Sequence, residues 1–183
     1  MNKLKIFVDM DGVLADFVRG VESPEFLNGP LTNDADYDTR KLELSNKGLF
    51  AKLPKMADMD HLVDHIKQSG EYWEILTATG DVNRQRVAAD KNQWIRKYVD
   101  PNVLITCTIK GRHKAVFANH NHVLIDDRLE NIEAWTKAGG IGILHKNAEE
   151  TIENEEQEIQ QQEVEQPQVE EPTVPEKYQG KSL

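Results

Sequence analysis

Two groups of acids have the type and spacing to do chemistry: Asp9, Asp11 and Asp16 near the start of the chain, and the adjacent pair Asp126 and Asp127 further along. Asp9 and Asp11 follow directly on the apolar run Leu4, Ile6, Phe7 and Val8, and Gly12 stands behind them. Such a run, bounded by turn residues, reads as a buried strand. Side chains alternate along a strand, so two carboxylates two residues apart project to the same side where it ends. Acids so placed repel each other and need a cation or a shared proton. Gly12 lets the backbone turn tightly and another group approach closely. A helix cap would account for one Asp; it does not account for two, plus Asp16, after a strand.

The elements that must hold these acids follow from hydrophobic spacing. Apolar runs predict strands at Leu4–Val8, Tyr72–Leu76, Val103–Thr106, His122–Ile125 and Ile141–Leu144. Between them, Met59, Leu62, Val63 and Ile66 recur at helical spacing before Gly70, Asp81 is placed to cap a helix over 82–98, and Leu129–Ala138 ends at Gly139-Gly140. In the second of these helices Val87, Trp94, Ile95 and Tyr98 form the expected buried face, with Trp94 a core residue. Alternating strands and helices predict an α/β fold, a doubly wound and mostly parallel sheet of the Rossmann-like kind. Ligands bind such sheets beyond the carboxyl ends of the strands. Asp9 with Asp11, Thr77, and Asp126 with Asp127 each fall at the predicted C-terminal end of a different strand. Residues from about 17 to 53 are rich in turn formers and too long for a plain connection, so a small cap inserted over the site is expected there. His120 and His122 lack the further ligands that a zinc site wants and read as turn residues ahead of a strand.

Charge divides the chain unevenly. Residues 149–183 hold 11 Glu and 2 Lys, a net charge of −9 out of −10 for the whole chain. Two units are therefore expected: a catalytic domain over 1–148, near neutral, and an acidic tail over 149–183 that buries too little apolar surface to order itself, beyond a frayed helix at its start. A near-neutral body offers no basic footprint for duplex nucleic acid. The single cysteine, Cys107, fits a reducing compartment, and no apolar stretch is long enough to span a membrane or serve as a signal peptide. A cytoplasmic location is the expectation.

The stretch DMDGVLADF resembles the first motif, DxDGxxxD, of the haloacid dehalogenase-like phosphohydrolases. That resemblance implies Asp9 as the nucleophile that attacks phosphorus. It implies Asp11 as the general acid and base, whose backbone carbonyl also serves a magnesium ion. The residue types agree, since a carboxylate can form a covalent acyl phosphate and hard oxygen ligands suit magnesium. By the same resemblance the hydroxyl of Thr77, with the N–H of Ala78, would bind the transferred phosphoryl group. VLIDDRLENI is similar to the fourth motif, which makes Asp127 a direct metal ligand and Asp126 its support. One lysine between Thr108 and Ala118 should neutralise the nucleophile and the phosphate; Lys114 and Lys110 compete, and Lys114 fits the arrangement better. KGLFAKLPKM resembles the segment closing the small cap of the 5′(3′)-deoxyribonucleotidase branch, where an aromatic helps to hold the base. Phe50 is the candidate for that role, with packing of the cap onto the body as the equal alternative; Phe17, Phe26 and Tyr37 are the other cap aromatics.

The expected function is thus a Mg2+-dependent phosphomonoesterase for nucleoside monophosphates. Alternatives are a polynucleotide 3′-phosphatase, a small sugar-phosphate phosphatase, or a phosphate-binding scaffold working through its tail. Expected partners are a small nucleotide and possible second copies of the chain, with neither duplex nucleic acid nor membrane; the tail's partner is not readable.

Overall fold

A computed structural model describes residues 4–26 and 37–165. Its five strands are β1 (Lys5–Val8), β2 (Tyr72–Ala78), β3 (Leu104–Thr108), β4 (His122–Asp126) and β5 (Ile141–Leu144). They pair in the order β3-β2-β1-β4-β5, all parallel. Each predicted strand is present, within two residues of its expected ends. A parallel sheet is covered on both faces, which is why its strands read as nearly continuous apolar runs.

Alternation along β1 sends Ile6 and Val8 to one face and Phe7 to the other. On the first face Ile6, Val8, Ile75, Val123 and Ile125 join the larger core, which includes Met59, Leu62, Val63 and Ile66 of α4 (Met59–Ser69) and Val87, Trp94 and Ile95 of α5 (Arg84–Tyr98). On the second, Phe7, Leu76 and Leu124 pack with Ile132 and Trp135 of α6 (Leu129–Lys137), the Phe7 and Trp135 rings meeting edge to face at 5.3 Å. Val8 is level with Ile125, and the Asp9 amide donates to the Ile125 carbonyl at 2.9 Å. The ends of β1 and β4 are thereby brought side by side at the point where the chain's winding direction reverses. That is where an open α/β sheet forms a crevice.

Among the described residues, 17–26 and 37–53 supply three short helices, α1 (Phe17–Val21), α2 (Tyr37–Asn46) and α3 (Leu49–Lys52). They are fastened to α5: the Trp94 indole donates to the Leu53 carbonyl at 2.7 Å, and Asn83 donates to Ser45 and Asn46 at 2.9 and 3.0 Å. Residues 27–36 lie outside the described residues, as do 166–183 at the far end.

One expectation fails here. The acidic stretch does not begin as a frayed helix: Ala148–Glu165 form an ordered helix, α7, docked on the body. Asp58 accepts from its first amide at 2.6 Å, His145 pairs with Thr151 at 2.9 Å, and His65 meets the buried Glu155 at 2.8 Å. Ile152 and Ile159 pack against the core. Composition alone hid this stripe among Glu and Gln. Cutting the chain after Lys146 is accordingly expected to lower the melting temperature by roughly 5–10 °C, since it removes two partly buried isoleucines, one buried polar contact and two half-buried ones. An unchanged melting curve on differential scanning calorimetry would show that α7 contributes no stability. Among the described residues no helix is long and apolar enough to cross a membrane.

Candidate active site

At the crevice, Asp9 is 7% exposed and Asp126 fully buried. Both share the side chain of Lys114, whose Nζ is 2.9 Å from Asp9 Oδ2 and 2.6 Å from Asp126 Oδ2. Lys114 comes from a 3-10 segment, Gly111–Phe117, between β3 and β4. Burial opposes a charge on this lysine, but Asp9 and Asp126 outweigh it and hold the ammonium above its ordinary range. Burial likewise works against the Asp9 carboxylate, and Lys114 with Lys91 overcomes it, so Asp9 is held below the usual carboxylate range. Lys110, the competing lysine, reaches Asp81 at 3.5 Å on the cavity rim instead. Asp81 is therefore a rim residue and not the helix cap its position promised; α5 begins three residues later, at Arg84, after Asn83 in a left-handed conformation.

The two acids of the second pair divide their roles by position. Asp126 is the last residue of β4 and points to the same face as Leu124, so it is enclosed. Its oxygens are taken up by Lys114, by the Asn131 amide at 2.9 and 3.0 Å, and by the Arg128 N–H at 2.9 Å. Asp127 lies past the strand and opens on the cavity. Partial burial and the nearby charges of Asp9 and Asp126 push its carboxyl up to about 6. Gly12, at φ +80°, allows this approach: a Cβ there would fall 2.1 Å from Asp127 Oδ2.

Carboxylate oxygens of Asp9, Asp126 and Asp127 come within 4.8 Å of one another, the one such cluster among the described residues. With Asp126 already saturated, the set fits a hard divalent cation held by Asp9 and Asp127 with Asp126 in support.

Asp11 has a lysine of its own, which the sequence reading missed. Lys91 of α5 is completely buried and donates to Asp11 Oδ2 at 2.6 Å, Thr77 Oγ1 at 2.8 Å and the Ala78 carbonyl at 2.9 Å. The other oxygen, Asp11 Oδ1, is buried with no hydrogen-bond partner. Lys91 lies four residues after Val87 and three before Trp94, a charge inside the apolar stripe of a helix. That misplacement was the available signal. Asn131, four residues before Trp135 on the buried side of α6, carried a similar one.

Thr77 stands at the end of β2 as expected, but it is fully buried and its hydroxyl faces Lys91, beneath the cavity floor. Ala78, Thr79 and Gly80 line the cavity itself. The cavity, about 960 Å³, is bounded on the cap side by Asp16, Phe17, Val18, Lys41 and Phe50. Asp16 also caps α1 by accepting from the Arg19 N–H at 2.9 Å. Phe50 is only 3% exposed and stacks on Phe17 at 5.8 Å, with Lys91 5.3 Å from its ring. It packs the cap against the body, and both Phe50 and the half-buried Phe17 line the cavity. Phe26 is buried in the core; the side chain of Tyr37 lies outside the described residues.

Comparison with solved structures returns this architecture. A HAD-superfamily hydrolase of Ehrlichia chaffeensis matches 87% of this chain and 99% of its own, with TM-score 0.51 at 15% identity. A haloacid dehalogenase-like family hydrolase of Streptococcus pneumoniae matches over 90% and 99%, with TM-score 0.50 at 13% identity. The chain has the haloacid dehalogenase-like fold. Among curated proteins, one of Staphylococcus epidermidis named "Putative 5'(3')-deoxyribonucleotidase" is 26% identical over 149 residues, 74% of this chain and 80% of that protein. No family model matches the chain.

The raised Asp127 carboxyl gives a prediction about the metal-free protein. Its folded-state value, about 6, lies above the ordinary 3.8, so folding tightens its hold on a proton. This group therefore costs stability at neutral pH, and the cost disappears as the pH falls through about 6 toward 4. Asp127→Asn should raise the melting temperature of the metal-free protein at pH 7.5 by roughly 2–5 °C, less than burial alone would give because solvent reaches the group. The gain should shrink at pH 5. Magnesium should stabilise the wild type at pH 7.5 and do so progressively less below pH 6, because the ligand must be deprotonated. Equal melting profiles for wild type and variant at both pH values would remove Asp127 from the site.

Proposed function

We propose that the chain is a magnesium-dependent phosphomonoesterase that works through an aspartyl phosphate and acts on nucleoside monophosphates, in the manner of a 5′(3′)-deoxyribonucleotidase. The observation that carries this reading is the pairing at the end of β1: Asp9 and Asp11 each meet a different buried lysine. Asp9, kept ionised by Lys114, attacks phosphorus, and the bond from phosphorus to the leaving alcohol breaks. Asp11 supplies the proton to that alcohol. Its Oδ2 is tied to Lys91, which orients the carboxyl. Asp11 then takes a proton from water as the water oxygen attacks phosphorus, releasing inorganic phosphate and restoring Asp9. Lys114 stabilises charge on the phosphoryl oxygens and Lys91 positions Asp11. Asp9 and Asp127, with Asp126 in support, would hold a divalent cation, which would supply Lewis-acid neutralisation of the phosphoryl charge.

For the substrate, support comes from the name of the Staphylococcus relative and from the cap aromatics along the cavity. A stacking ring offers a nucleobase about 1–3 kcal/mol that a sugar phosphate cannot use. The near-neutral body disfavours a long polynucleotide. Turnover of a panel of phosphomonoesters with magnesium tests the reading. Ribo- and deoxyribonucleoside monophosphates should show higher kcat/KM than small sugar phosphates; a preference for oligonucleotide 3′-phosphates would replace it.

A further inference from the structure

We propose that Phe50, on cap helix α3, is a positioning residue for the catalytic acid: its ring screens Lys91 from the cavity and so keeps Lys91 fixed on Asp11; this rests on the phosphomonoesterase reading above. Lys91 is completely buried, and its three N–H groups have three acceptors, Asp11 Oδ2, Thr77 Oγ1 and the Ala78 carbonyl. The Phe50 ring covers the ammonium, with 5.3 Å from Nζ to the ring centre, within reach of a cation–π contact. Phe50 and Ala78 line the cavity, and Lys91 is enclosed behind them. Phe50 is thus a partition between the substrate's space and the lysine that holds the acid.

Helix α5 ties the two ends of this arrangement together. Lys91 and Trp94 are three residues apart, on one face of the helix. Lys91 reaches the body at Asp11, while the Trp94 indole donates to the Leu53 carbonyl at 2.7 Å and fixes the chain just past α3. Phe17, the first residue of α1, stacks on Phe50 at 5.8 Å. With Phe17 stacked on it, Lys91 over it and 3% of it exposed, Phe50 is committed to the protein and offers a nucleobase little surface.

The screen matters because the pair it protects is open on one side. The Asp11 side chain is 29% exposed, while Lys91 is enclosed. Attraction between the two, at 2.6 Å, stays strong only while water is kept from the ammonium. A smaller side chain at position 50 admits water to Lys91, which then competes with Asp11 for the N–H groups and lets the carboxyl turn. Asp11 serves the leaving alcohol, so the loss falls on substrates whose leaving group needs a proton. A leaving group that departs as a stable anion needs none.

The test compares kcat/KM of the full chain with magnesium on three esters: a nucleoside monophosphate, a small sugar phosphate, and p-nitrophenyl phosphate, whose phenolate leaves without a proton. Phe50→Leu should lower kcat/KM about tenfold on both alcohol esters and less than about twofold on p-nitrophenyl phosphate, because a displaced general acid costs only where a proton is transferred. Phe50→Tyr, which keeps a ring over Lys91, should stay within about threefold of wild type on all three. In a Lys91→Met background, Phe50→Leu should cost the alcohol esters less than about twofold more, since the two residues act through one contact. The ratio between esters does not depend on the folded fraction, so partial unfolding of a variant leaves the comparison intact. A loss confined to the nucleoside monophosphate would make Phe50 a base contact and overturn the proposal. An unchanged ratio of alcohol esters to p-nitrophenyl phosphate would overturn it too, as would a full further loss in the Lys91→Met background. Absence of wild-type turnover on all three esters would bring down the phosphomonoesterase reading itself.

Discussion

Asp9→Asn should abolish turnover, by at least about 10³-fold, and leave a folded protein. The amide keeps the shape of the side chain and removes the nucleophile. Two opposing effects bear on stability. The Asp9 carboxylate is held below its ordinary range by Lys114 and Lys91 against the cost of burial, so its charge contributes stability that is present above pH 3.8 and lost as the pH falls through the lower folded value. Its removal also relieves the repulsion that, after burial, raises Asp126 and Asp127. Lys114 keeps Asp126 as a partner in the variant. The melting temperature should therefore move by no more than about 5 °C in either direction. Steady-state turnover near the wild-type rate would eliminate Asp9 as the nucleophile, whatever the stability.

The two buried lysines carry the second large effect. Lys114→Met should depress kcat by about 10²-fold or more, because its charge matters most while the phosphoryl group is in transfer. It should also destabilise the metal-free protein by about 3–5 kcal/mol, since Asp9 and Asp126 would be left buried without their shared cation. Magnesium should recover part of that loss by neutralising the same acids. Lys91→Met should also lower kcat by about 10²-fold, leaving Asp11 without the partner that fixes its orientation. Lys110→Met, at the exposed rim pair with Asp81, should change kcat by less than about threefold. A larger loss from Lys110→Met than from Lys114→Met would place the 3-10 segment differently against β4.

What could be read from the sequence, and what could not, follows from how local each signal is. The acids at the ends of β1 and β4 were legible because a parallel strand's apolar run stops abruptly where polar chemistry begins. The order of Asp126 and Asp127 was not fixed by spacing. The end of β4 encloses Asp126 and leaves Asp127 open to the cavity, which favours Asp127 as the ligand in the function proposed above. Thr77 was found at its strand end, but not that Lys91 would occupy its hydroxyl, since that contact joins residues 14 apart across β2 and α5. Helix α7 was hidden by composition: Ala148, Ile152, Glu155 and Ile159 form a helical stripe, yet only three of these are apolar in a run of Glu and Gln. Phe50 carried the right label for a cap aromatic, but its burial against Phe17 is a tertiary fact.

Chemical trapping of residue 9 tests covalent catalysis most directly. The enzyme, mixed with a nucleoside monophosphate and magnesium and quenched in acid within one turnover, is treated with borohydride, which reduces an acyl phosphate to an alcohol. Peptide mass spectrometry should then find homoserine at position 9, only when substrate and magnesium are both present, and none at position 11. Product formation with residue 9 unmodified, or with the alcohol at position 11, would contradict the assignment of Asp9 as the group that takes up the phosphoryl.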